Sequence, residues 1–148
     1  MQTKEKYFVS SNQSIQDIPK DIESLYFCVY GNRKNLTKLD FSSFGFTQLR
    51  SITIINECFE NVRLFVLDGL ERLESVNIGE ECFRISDERR DDGVCRITNC
   101  PNLRELEIGW RSFYDFKQFE LSNVNSLQSI QFGGGCFEYA DNCILKGE

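Results

Sequence analysis

The stretch LERLESVNIGEECF at residues 70–83 decides the fold, because its pattern recurs along the chain. LRSITIINECF at 49–59, LESVNIGEECF at 73–83, LRELEIGWRSF at 103–113 and LQSIQFGGGCF at 127–137 are four copies of L-x-x-[VIL]-x-[IF]-[GI]-x-x-[CS]-F. IESLYF at 22–27 matches the start of the unit and reads as a degenerate first copy, as expected of a terminal repeat with one face toward water. The leading apolar residue falls at 22, 49, 73, 103 and 127, in steps of 27, 24, 30 and 24. A near-constant period of roughly 20–30 residues marks a solenoid.

Each unit carries two short segments that alternate with period two. In the first, Ile52/Ile54, Val76/Ile78, Leu106/Ile108 and Ile130/Phe132 point one way, while Thr53, Asn77, Glu107 and Gln131 point the other. In the second, Phe65/Leu67, Cys95/Ile97, Phe119/Leu121 and Cys143/Leu145 repeat at steps of 30, 24 and 24. Alternation of this length predicts strand, and the residues left between strands are too few for a helix of several turns. The expected architecture is a β-rich solenoid with little or no helix. Its parallel strands form two ladders, over about four or five coils of ~24 residues each. Residues 1–21 are expected to be an N-terminal arm leading into a cap, irregular over 1–14, and residues 22–148 a single solenoid domain. The longer step reflects a six-residue insertion near 84–94, RISDERRDDGV, expected as a protruding charged loop. Phe59, Phe83, Phe113 and Phe137 share one column and should stack as a ladder at a corner.

At the level of these motifs the chain resembles the leucine-rich-repeat proteins. IGEECF at 78–83, IGWRSF at 108–113 and FGGGCF at 132–137 are most similar to the I-G-x-x-A-F signature of the BspA-type repeats, and IPKDIESLYF at 18–27 looks like the segment that leads into their first repeat. The resemblance spans about residues 15–148 and implies protein or ligand binding on the exposed ladder, without catalysis. Two features depart from the family pattern. Its ladder asparagine is replaced by Glu57, Glu81, Arg111 and Gly135. Ile55 stands where Gly79, Gly109 and Gly133 sit in the other copies, so the second copy is expected to turn its corner differently.

Composition narrows the function classes. Of 148 residues 41% are hydrophobic and 27% charged, a folded composition, and the formal net charge of −6 speaks against nucleic acid or an anionic membrane as partner. No apolar run approaches the ~18 residues of a membrane span, and the N-terminal stretch shows no secretory h-region. The chain has no histidine, which removes the commonest general base and the commonest metal ligand. Seven cysteines is an odd number, and at least six fall in apolar columns: Cys58, Cys82 and Cys136 with Ser112, Cys95 and Cys143 with Phe65 and Phe119, and Cys100 with Leu70 and Val124. They read as reduced core residues in a cytoplasmic protein, with no metal site and no cofactor. Gly133–Gly135 lacks the following Lys-Ser/Thr of a phosphate loop and reads as a tight corner.

Candidate site residues come from the copy that breaks the pattern most. Trp110, the sole tryptophan, stands where Asn56, Glu80 and Gly134 stand; Arg111 follows it; Tyr114 aligns with Glu60, Arg84 and Glu138; Glu105 and Glu107 replace small or neutral residues. A cluster of Glu105, Glu107, Trp110, Arg111 and Tyr114 has the composition of an interface hot spot. The alternative is that Trp110 folds over the neighbouring insertion and covers it. CILKGE at 143–148 stops at a second strand without a cap, which points to a longer array or to self-association through that coil. The expected function is a non-catalytic protein-interaction module that binds a protein partner. The alternative is a structural subunit built into a larger assembly, or a fragment of a longer repeat protein.

Overall fold

The computed structural model describes residues 6–10, 15–28, 36–86 and 92–146. In chain order the strands are β1 (Lys6–Ser10), β2 (Ser24–Cys28), β3 (Lys38–Asp40), β4 (Ser51–Ile54), β5 (Leu64–Asp68), β6 (Ser75–Ile78), β7 (Val94–Thr98), β8 (Glu105–Ile108), β9 (Gln118–Ser122), β10 (Ser129–Phe132) and β11 (Asn142–Lys146). Among the described residues the only helical pieces are 3₁₀ turns at Ile15–Asp17 and Phe41–Ser43. One sheet runs β1-β2-β4-β6-β8-β10 and the other β11-β9-β7-β5-β3. Every pairing is parallel, and from β2 onward the chain alternates between the two ladders. The fold is a β-solenoid of five two-strand coils with one extra strand at its N-terminal end.

The repeat columns are the register. Ile52 pairs Val76, Val76 pairs Leu106 and Leu106 pairs Ile130, while Phe65 pairs Cys95, Cys95 pairs Phe119 and Phe119 pairs Cys143. The inward member of each alternation, from Leu25 to Leu121, is buried between the ladders. At the corner that follows the first ladder, Phe59, Phe83, Phe113 and Phe137 stack in sequence with ring centroids 5.3, 4.5 and 5.0 Å apart and planes within 23°, 7° and 5°. That spacing is close to the roughly 4.8 Å between hydrogen-bonded strands, so the backbone ladder sets the distance at which the rings stack. From the opposite ladder Phe65 packs 4.8 Å from Phe83, and Phe119 packs 4.5 Å from Phe137.

The corners are built from left-handed residues. Glu57, Glu81 and Arg111 have φ of 63°, 57° and 59°, and Gly135 completes the column at 81°; two positions on, all four stacked phenylalanines lie between 54° and 63°. A non-glycine residue in this region costs about 1–2 kcal/mol. The cost is offset by bonds between coils. The amides of Glu57, Glu81 and Arg111 donate forward to the carbonyls of Glu80, Trp110 and Gly134, and those of Phe83 and Phe113 donate back to Cys58 and Cys82. Ile55 does not change this geometry. Its amide bonds Phe27 O as Gly79, Gly109 and Gly133 bond Ile54, Ile78 and Ile108, and the same two positions after it are left-handed. The second copy therefore turns as the others do. The glycines serve close approach instead: a Cβ on Gly109 would lie 2.6 Å from the Gly79 carbonyl group, and one on Gly133 would lie 2.6 Å from Trp110 N.

The Cys/Ser column ties each coil to the one before it by side-chain hydrogen bonds. The thiol of Cys82 donates to Ile55 O (3.0 Å), the Ser112 hydroxyl to Gly79 O (2.6 Å) and the Cys136 thiol to Gly109 O (3.0 Å), each reaching the coil before it. Cys58, Cys82, Cys95 and Cys100 are fully buried, and Cys28 and Cys136 are half-buried. Cys143, assigned to a core column from its register, is exposed on β11, the last strand of its ladder among the described residues. None of the seven forms a disulfide.

Residues 6–10, expected to be irregular, form β1. Val9 points inward and is buried, while Phe8 points out and stacks on Tyr26 at 4.8 Å. Between β1 and β2 the chain makes a 3₁₀ turn, buries Ile18 and Ile22, and sets the Lys20 ammonium 4.6 Å from the Phe46 ring. Of the insertion, residues 87–91 lie outside the described residues.

Candidate functional site

The fourth coil supplies the least regular corner. β8 ends at Ile108, Gly109 presses against the coil before it, and Arg111 adopts the left-handed conformation of its column. Trp110 is 45% exposed, so this corner carries an indole in water. The Arg111 guanidinium lies 5.1 Å from the Trp110 ring and 4.6 Å from the Tyr114 ring. The Arg84 guanidinium lies 4.6 Å from the same Tyr114 ring. Tyr114 in turn meets Tyr139 edge-on at 5.1 Å, and the Lys117 ammonium lies 5.9 Å from the Tyr139 ring. The result is a continuous stack of cations and aromatic rings spread over three coils. Contacts of this kind contribute about 0.5–1 kcal/mol each at exposed positions.

The two arginines differ in their charge partners. Arg84 bonds Glu81 at 2.7 Å and Asp115 at 3.3 Å, and the buried Asp115 carboxylate also accepts the Ile85 amide at 3.0 Å. Arg84 is thereby fixed. Arg111 forms no ion pair among the described residues, and its Nε is shielded from solvent without a hydrogen-bond partner.

The five residues singled out in the sequence separate into two groups. Trp110, Arg111 and Tyr114 come together in the stack. Glu105 and Glu107 lie on the outer face of β8, where Glu107 accepts a hydrogen bond from Asn77 at 3.0 Å, and no hydrogen bond or ion pair among the described residues ties either carboxylate to the stack. The indole Cδ1 lies 3.5 Å from where a Gly134 Cβ would stand, against the coil that follows. Arg84, Lys117 and Tyr139 were not singled out in the sequence. Arg84 had a signal, because it shares a column with Tyr114 and in-register columns bring their members into contact.

No protein-family model, no curated protein and no solved structure matches this chain.

A second surface lies on the outer face of the other ladder. Asp68, Thr98, Ser122 and Lys146, with Arg96 and Glu120, line an open groove of about 660 Å³. Its polar groups are largely satisfied by one another. Thr98 donates to Asp68 at 2.7 Å, Asn99 to Asp68 at 2.8 Å, Asn123 to Asn99 at 2.7 Å and Ser122 to Glu120 at 3.1 Å. Among the described residues no group of three or more His, Cys, Asp or Glu is arranged to hold a metal, and no helix is long and apolar enough to cross a membrane.

Proposed function

We propose that this β-solenoid is a non-catalytic protein-interaction module of the leucine-rich-repeat kind, nearest in its motifs to the BspA-type repeats. The family reading is supported by the I-G-x-x-[CS]-F columns, whose glycines permit close coil contact and whose phenylalanines form the spine. The single observation that carries the functional reading is Arg111: an arginine with no charge partner among the described residues, held among Trp110 and Tyr114 on an exposed corner. Arginine, tryptophan and tyrosine are the residues that dominate interface energetics, and here they are pre-ordered by stacking, which lowers the entropy lost on binding. Affinity capture from native lysate tests the proposal. The wild-type chain retains a defined protein, and Trp110→Ala, equally folded, loses it. Retention of the same protein by both would contradict the assignment of the site.

A specific feature favours a second reading, a structural subunit or self-associating chain. Among the described residues the last coil leaves Ile130 (50%), Phe132 (40%), Ile144 (41%) and Leu145 (69%) exposed, on the last strands of the two ladders. Sedimentation over a concentration series distinguishes the two. Association that Leu145→Glu abolishes supports the second reading, and a monomer throughout contradicts it.

A further inference from the structure

The geometry points to Arg111 as the receptor for a carboxylate: the corner takes an acidic side chain of a partner polypeptide, with a flat apolar neighbour of that side chain lying against the indole and phenol rings. This rests on the reading of the corner as an interaction surface and names the partner's chemistry. Arginine offers five donors in a planar fork that matches a carboxylate. Four arginines make that match internally: Arg50 with Glu74, Arg63 with Asp92, Arg84 with Glu81 and Arg96 with Glu120. Of the described arginines that make no ion pair, Arg72, Arg104 and Arg111, only Arg111 is held against aromatic rings. Glu81, its neighbour in the same column one coil back, is engaged by Arg84. On the other side the column holds Gly135, where a Cβ would come within 3.0 Å of Arg111 Cγ. The column thus supplies no carboxylate there: the Trp110 ring lies over Gly134, and the Arg111 stem and Tyr114 ring lie over Gly135. A polypeptide passing this corner can turn one carboxylate onto the outer nitrogens of the guanidinium, whose charge no carboxylate of the described chain meets.

The charge distribution favours a single carboxylate over a polyanion. The whole chain carries −6 and Glu138 adjoins Tyr139 in sequence, so an extended phosphate backbone meets repulsion beyond the cations Arg84, Arg111 and Lys117. One acidic side chain in an otherwise apolar segment meets only the arginine.

The test is a displayed random-peptide library panned on the intact chain, with Trp110, the sole tryptophan, as a fluorescence reporter. Arg111→Gln is the paired variant. Its fold is expected to hold, since Glu57 and Glu81 occupy the same left-handed column at φ 63° and 57°. The enriched peptides are expected to share an Asp or Glu beside an aromatic or aliphatic residue. Synthetic versions should shift Trp110 emission saturably, and lose affinity about tenfold or more both with Glu→Gln in the peptide and with Arg111→Gln in the protein. Arg111→Lys should fall between. No enrichment, peptides without an acid, equal binding by Arg111→Gln, or a thymidine oligonucleotide that outcompetes the peptides would each overturn it. If lysate capture needs Trp110 but not Arg111, the interaction module stands and the carboxylate assignment falls.

Discussion

Phe83 and Phe113, thirty residues apart in sequence, lie face to face with ring centroids 4.5 Å apart and planes within 7°. Both rings are fully buried and both residues are left-handed. Phe113 also touches Phe65, Phe116 and Phe137, so its ring sits at the centre of the spine. Phe113→Ala should cost about 3–5 kcal/mol, from lost burial and from a cavity the neighbouring coils cannot collapse around. Urea unfolding followed by circular dichroism measures it. A cost below about 1 kcal/mol would mean that the spine does not hold the coils together.

Gly109 and Gly134 make a matched pair for testing close approach. An alanine Cβ at 109 would lie 2.6 Å from backbone atoms of Gly79, whereas at 134 it would make ordinary contact with the Trp110 ring at 3.5 Å. Gly109→Ala should therefore destabilise by about 2–3 kcal/mol or prevent folding, and Gly134→Ala should stay within about 0.5 kcal/mol of wild type. Thermal melting of the two variants decides it, with equal effects counting against the argument.

Ser112 is fully buried and holds two coils, donating to Gly79 O at 2.6 Å and accepting from Cys82 N at 2.9 Å. Ser112→Ala leaves both backbone groups without that partner and should cost about 2–4 kcal/mol. Ser112→Cys restores the residue type of the column and should cost less. Equal losses for the two in urea titrations would show that packing, not hydrogen bonding, sets the value of this position.

The sequence made the spine and the ladders legible because they rest on identity at fixed spacing. Phe59, Phe83, Phe113 and Phe137, and the pairs from Ile52/Ile54 to Ile130/Phe132, say directly which residues stack. What fell outside was whatever repetition does not encode. β1 lies before the first recognisable copy, and β3 is short; Lys38–Asp40 contributes a single inward residue, Leu39. Cys143 occupies a core column but is exposed on the last described strand of its ladder, and register alone cannot report that. The left-handed corners were hidden because Glu and Phe rarely adopt φ > 0, and only the forward and backward amide bonds between coils make it worthwhile. The candidate site was half legible. Trp110, Arg111 and Tyr114 stood out as departures from their columns, while Arg84 and Tyr139 joined them through contacts between coils. The groove on the second ladder was missed because Asp68, Thr98, Ser122 and Lys146 share a column without sharing a residue type.

The buried thiols give the protein a pH dependence on the alkaline side. Desolvation raises the Cys95 thiol well above its ordinary value of 9.0 and pushes Cys100 up to about 11. The unfolded chain releases these protons near pH 9, while the folded chain holds them. The stability they contribute is complete below that pH and is lost as pH rises through the folded values. Cys82 opposes this weakly, because its bond from the Cys58 thiol lowers its pKa. The melting temperature should be flat through neutral pH, fall between about pH 9 and 11, and fall less steeply in Cys100→Ala. In native alkylation the exposed Cys143 should react first and Cys95 and Cys100 last, and denaturation without reductant should release all seven thiols. Fewer than seven would contradict a reduced core.

The repeat columns hold the fold, and under the proposed function the Trp110 corner is left over for recognition. Trp110→Ala measured two ways on one preparation, by thermal melting and by partner capture from native lysate, tests it most directly. The indole is 45% exposed and outside the buried spine, so the melting temperature should stay within about 2 °C of wild type while the captured protein is lost. A fall of several degrees with capture intact would contradict the claim and make Trp110 a part of the fold.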